Sequence, residues 1–107
     1  MKSLNLPPFE YKVKKQNGQI WIFDMIRKRY VVLTPEEWVR QHFIHFLIES
    51  KGYPAQLIAV EKEIQVCGMK RRFDLVCYDR QANPYLIVEC KAPSGVIAGC
   101  LRSGIPV

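Results

Sequence analysis

Two carboxylates and a lysine stand at the ends of otherwise apolar runs. Asp74 follows Arg71, Arg72 and Phe73 and precedes Leu75-Val76-Cys77, while Glu89, Cys90 and Lys91 close the run Leu86-Ile87-Val88. In an extended strand residues two apart share a face, so Glu89 and Lys91 project together and Cys90 projects oppositely. A neighbouring strand that brings Asp74 alongside would gather two carboxylates and one ammonium. Two carboxylates with a backbone carbonyl make an oxygen site suited to Mg²⁺, and a nearby lysine can orient or deprotonate a water for attack on phosphorus. That is the chemistry of metal-assisted phosphodiester hydrolysis. An isolated acid and lysine two apart are more often a solvated ion pair. Here Glu89 directly follows a run apolar enough to be buried on both faces, where charge rarely goes without a partner or a metal.

The elements that must position these groups are legible from punctuation and periodicity. Leu4 to Pro8 carries two prolines and reads, with the rest of residues 1–9, as a lead-in arm. Tyr11 and Val13 alternate with Lys12 and Lys14, Asn17-Gly18 is a strong two-residue turn signal, and Ile20 and Ile22 continue the alternation, which predicts a β-hairpin. Arg27-Lys28-Arg29 reads as a basic turn and Tyr30 to Leu33 as a short β-rich run. Thr34-Pro35-Glu36-Glu37 is a helix start: Thr34 caps, Pro35 suits the first position, and Glu37 completes a capping box. The helix should run to about Ser50 with Val39, Phe43, Phe46 and Leu47 as its apolar stripe, and Lys51-Gly52-Tyr53-Pro54 should stop it. From Leu57 to Lys91 three strand-like runs are separated by turns at Gly68-Met69 and Gln81 to Pro84. The expected fold is α+β: a hairpin, one helix, then a three-stranded antiparallel meander in a single domain over 1–107. The tail, 94–107, reads as neither an amphipathic helix nor a strand.

Composition narrows the function classes. The chain has 107 residues, 49% of them hydrophobic, with a net charge of +6. That is one globular domain with a field that attracts polyanions such as nucleic acid. No apolar run reaches the ~20 residues of a membrane-spanning helix, so no membrane role is expected. Four cysteines without a close pair suggest free thiols in a reducing cytoplasm, Cys77 and Cys90 as small buried hydrophobes. His42 and His45 lack a third nitrogen or sulfur ligand nearby in sequence. Phosphate-loop and serine-hydrolase signatures are missing. Lys70, Arg71 and Arg72, just before Asp74, are candidates for contact with a nucleic-acid backbone, and Trp21, Trp38 and Tyr53 are aromatics that can stack on bases or pack.

An acid on an early helix, Arg72-Phe73-Asp74 at the second strand of the meander and Glu89-Cys90-Lys91-Ala92-Pro93 at the third together resemble the PD-(D/E)xK nuclease superfamily. The particular wording, Thr34 to Gln41 on the helix with Arg72-Phe73-Asp74 and Val88 to Pro93, looks like the amino-terminal nuclease domain of type I restriction enzyme R subunits, in its small stand-alone bacterial form. The resemblance covers about Tyr11 to Pro93. It implies a restriction-endonuclease-like fold and Mg²⁺-dependent cleavage of DNA, with Mn²⁺ able to substitute. It makes Asp74 and Glu89 metal ligands with the Cys90 carbonyl as a third, and Lys91 the catalytic lysine. The helix acid is Glu36 or Glu37, and Glu36 is favoured because it stands four before Arg40 beside the apolar stripe. The superfamily core continues past the E-x-K strand with a further helix and strand, which this sequence lacks, so the resemblance implies a core shortened at its carboxy terminus. Its uncovered sheet face would favour pairing with a second copy. Two alternatives stay open: a non-catalytic nucleic-acid-binding or assembly module on the same fold, and a basic domain in which Glu89 and Lys91 are merely paired.

Overall fold

The computed structural model describes residues 6–91 and, as backbone alone, 96–100 and 105–106. Its first sheet is antiparallel and three-stranded: β1 (Val13–Gln16), β2 (Gln19–Asp24) and β3 (Arg29–Val32). Asn17 and Gly18 both take positive φ, 53° and 74°, the primed turn whose twist matches the flanking strands, and Gln16 pairs with Gln19 across it. The β-rich run at Tyr30 extends the expected hairpin as its third strand.

Helix α1 (Pro35–His45) begins as its sequence dictates, with the Thr34 hydroxyl accepting the Glu37 N–H at 3.0 Å. It passes into a π-helical turn, Phe46–Ser50, and the chain leaves through Gly52 at φ 67°, with the Tyr53 N–H bonded to the Leu47 carbonyl. Val39, Phe43 and Leu47 are buried as expected and Phe46 is half-buried, but Ile44, fully buried, was not part of the expected stripe. These side chains pack on Ile58, Leu75, Cys77, Val88 and Cys90 of the second sheet.

That sheet has five antiparallel strands in chain order: β4 (Ile58–Val66), β5 (Met69–Tyr78), β6 (Pro84–Cys90), β7 (Val96–Cys100) and β8 (Ile105–Pro106). The expected meander is its first three strands. The α+β architecture stands, and the reading of 94–107 as strandless is corrected, because Val96–Cys100 pairs with β6 from Leu86↔Cys100 to Cys90↔Val96. An apolar β6 with an open edge offers unpaired backbone groups, and that demand outweighs the low strand propensity of a glycine-containing segment. The parts of the tail at 94–95, 101–104 and 107 lie outside the described residues, as do residues 1–5 of the arm. The rest of the arm docks on α1: Phe9 stacks on His45 at 4.3 Å and meets His42 edge-on at 4.6 Å. Among the described residues no helix is long and apolar enough to cross a membrane.

Candidate active site

Strands β5 and β6 pair from Tyr78↔Pro84, through a register shift between Cys77 and Tyr78, to Cys77↔Leu86 and on to Leu75↔Val88. One step further, Asp74 and Glu89 stand opposite each other where the ladder ends. The Cys90 N–H turns instead to the Asp74 side chain, donating to Oδ2 at 2.6 Å. On the other flank β4 pairs with β5 on both sides of Asp74, Val60↔Leu75 and Lys62↔Phe73. Between those pairs Glu61 takes φ 52°, a left-handed conformation costly for a side chain with a Cβ. Asp74 thus sits at a break in pairing on both edges of its strand, where a carboxylate is reachable from solvent; its side chain is 37% exposed.

Around it the expected residues assemble in part. Glu89 lies 3.6 Å from the Lys91 ammonium and 3.2 Å from Arg71, whose guanidinium also lies over the Phe73 ring. Arg72 pairs with Glu61 at 3.3 Å, and Lys70 is exposed near the start of β5. Of the two helix acids, Glu37 is the one joined to Asp74, through Arg40. Glu36, the favoured candidate, is exposed in the first turn. One residue turns a helix by about 100°, and the face directed inward carries Glu37, Arg40, Gln41 and Ile44, so the ion pair forms at i,i+3 from Glu37 rather than at i,i+4 from Glu36.

Glu37 belongs to a buried polar network that sequence reasoning missed. Its carboxylate accepts from Arg40 at 2.8 and 3.2 Å, from Arg27 at 2.9 and 3.0 Å and from Gln41 at 2.9 Å. Asp24, with no exposed surface, accepts from Arg27 Nε at 2.7 Å, from Gln41 at 3.1 Å and from the backbone N–H groups of Ile26 and Arg27. Arg40 carries the network to the sheet, with Nη1 3.6 Å from Asp74 and Nη2 3.5 Å from Glu61. Arg27, read from sequence as a turn charge, therefore links hairpin and helix, as does Gln41 through Asp24. The available signal was Asp24 three residues before Arg27, which could not name Glu37 as the second partner.

Burial alone would raise the Glu37 pKa; hydrogen bonds from Arg40 and Gln41, the Arg40 charge and the Arg27 bond outweigh it and hold the carboxyl below its ordinary 4.5. A carboxyl depressed in the folded state contributes stability that is complete above its unfolded value and is lost as pH falls through the folded one. Melting midpoints of the wild-type chain and Glu37→Gln should therefore converge as pH is lowered below about 4.5. A gap that stays constant to pH ~3 would contradict this assignment.

The thiols of Cys77 and Cys90 are pushed up to about 12, chiefly by burial. They are apolar packing groups, as expected. His42 bonds the Trp38 carbonyl and His45 bonds Glu49, and among the described residues no three His, Cys, Asp or Glu side chains group to hold a metal by themselves. The Asp74 and Glu89 donors are hard oxygens at a solvent-reachable notch. They fit Mg²⁺, which takes one or two protein carboxylates and completes its shell with water and phosphate oxygens.

No curated protein and no solved structure matches the chain. The family model described as type I restriction enzyme R protein N terminus matches residues 35–99, a span that begins at α1 and includes Glu37, Asp74, Glu89 and Lys91. With well over half of its length matched, the chain belongs to the family of type I restriction enzyme R protein N-terminal domains.

Proposed function

We propose that the chain is a metal-dependent endonuclease domain that hydrolyses phosphodiester bonds of DNA on the PD-(D/E)xK plan. The observation that carries this reading is the hydrogen bond from the Cys90 N–H to Asp74, which joins the carboxylate of β5 to the Glu89-Cys90-Lys91 segment of β6. Asp74 and Glu89 would hold Mg²⁺ or Mn²⁺, with the Cys90 carbonyl beside them. When bound, the metal supplies a Lewis acid that offsets the charge gained by the phosphate oxygens in the transition state. Lys91, on the same strand face as Glu89, orients the attacking water, and its exposure leaves it free to meet a substrate phosphate. Arg40, held by Glu37, places its charge 3.6 Å from the Asp74 carboxylate. Lys70, Arg71 and Arg72 supply charge for the DNA backbone.

The test is incubation of supercoiled plasmid with the folded chain in Mg²⁺ or Mn²⁺, with EDTA alongside. Nicked and linear products that need the metal are expected. Intact plasmid with both metals would overturn the enzyme reading and leave a DNA-binding module.

A further inference from the structure

The three-stranded sheet lies before the matched family span and supplies no ligand to the candidate metal site, and its outward face gathers aromatic rings and cations. Burial alternates along β2: Ile22 and Asp24 are buried, while Trp21 and Phe23 remain half-exposed on the opposite face. Phe23 pairs across with Tyr30, Lys14 with Trp21, and the Lys12 carbonyl accepts the Phe23 N–H, so two lysines and three aromatics share that face. The ammonium of Lys14 sits 4.5 Å from the Tyr30 ring centre and that of Lys12 sits 5.8 Å from Phe23. Between Tyr11 and Leu33 the bases Lys12, Lys14, Lys15, Arg27, Lys28 and Arg29 face a lone acid, Asp24, which is buried and neutralised by Arg27.

We propose that this face is a binding platform for single-stranded DNA. Aromatic rings on an open sheet stack on bases whose faces are uncovered, and flanking cations pair with the connecting phosphates. The lysines that rest on the rings in the free chain would exchange that contact for phosphates as bases take their place. A duplex keeps its base faces covered, so the aromatics favour unpaired strands. The platform stands on the sheet alone and survives even if the chain does not cleave DNA, whereas the choice of DNA over RNA rests on the proposed nuclease reading.

The experiment is fluorescence anisotropy of a labelled oligothymidylate of about 15 nucleotides, matched to the site sizes of such platforms, with the full chain in EDTA. Duplex DNA and oligouridylate of equal length are the comparisons. Tyr30→Leu and Phe23→Leu should each weaken oligothymidylate binding about 10-fold without altering its salt dependence. Lys14→Gln, at an exposed position, should lower the slope of log affinity against log salt by about 0.7. If Phe23→Leu melts below the working temperature, Tyr30→Leu and Lys14→Gln decide the matter. Wild-type affinity in Tyr30→Leu would overturn the platform and leave a charge contact. Duplex or oligouridylate bound more tightly than oligothymidylate would overturn the assignment to single-stranded DNA.

Discussion

Arg40→Met should lower the unfolding free energy by about 3–5 kcal/mol, a large share of the stability of a small domain. Arg40 is 9% exposed and bridges Glu37, Glu61 and Asp74, so its removal strips Glu37 of two hydrogen bonds and its nearest charge while leaving the carboxylate buried. The cost arises from the partner left behind rather than from the pair itself. Glu37→Leu combined with Arg40→Met should therefore cost at least about 1 kcal/mol less than the sum of the single changes. Urea unfolding of the four proteins measures this directly. A single Arg40→Met change costing under about 1 kcal/mol would show that the network is solvated and does not brace the helix against the sheet.

Lys91→Met should lower the rate of DNA cleavage by about 10²–10⁴-fold, the range for a lost proton-transfer or water-orienting group. Its side chain is 60% exposed and its ion pair with Glu89 is 3.6 Å long. The stability change should stay within about 0.5 kcal/mol. Duplex affinity should fall little, because phosphate contacts spread over the basic surface dominate it. Single-turnover rates with saturating protein separate chemistry from binding. A variant that cleaves at the wild-type rate would leave Lys91 as the partner of Glu89 and nothing more.

Local signals were readable in the sequence because their physics is local. Asn17-Gly18 specifies its turn through two positive φ angles, Thr34 and Pro35 start α1 through a single hydroxyl and a missing donor, and Gly52 ends the helix. The alternation that put Glu89 and Lys91 on one face is likewise a property of a single strand, and the structure keeps them side by side. What stayed hidden depends on tertiary partners. Arg27 looks like any turn arginine until the hairpin is laid against α1 and Glu37 comes within reach. Glu36 and Glu37 cannot be ranked from the apolar stripe alone, since the buried face also carries Arg40 and Gln41, which a hydrophobic pattern counts as solvent-facing. Strand β7 forms because β6 offers an edge, a demand made by another segment of the chain. The left-handed Glu61 opposite Asp74 is invisible in composition for the same reason.

The most direct test of the central claim, that Asp74 and Glu89 form the metal site of a DNA-cleaving domain, is Asp74→Asn measured beside the wild-type chain on the same duplex in Mn²⁺. Asparagine keeps an oxygen to accept the Cys90 N–H, so the fold is preserved while the charge that would hold the metal is removed. Cleavage should fall by at least about 100-fold, since each 1.36 kcal/mol of lost transition-state stabilisation is a factor of ten and the metal is worth several, and duplex binding should persist. Cleavage by Asp74→Asn at the wild-type rate would contradict the account and put the chemistry elsewhere in the chain.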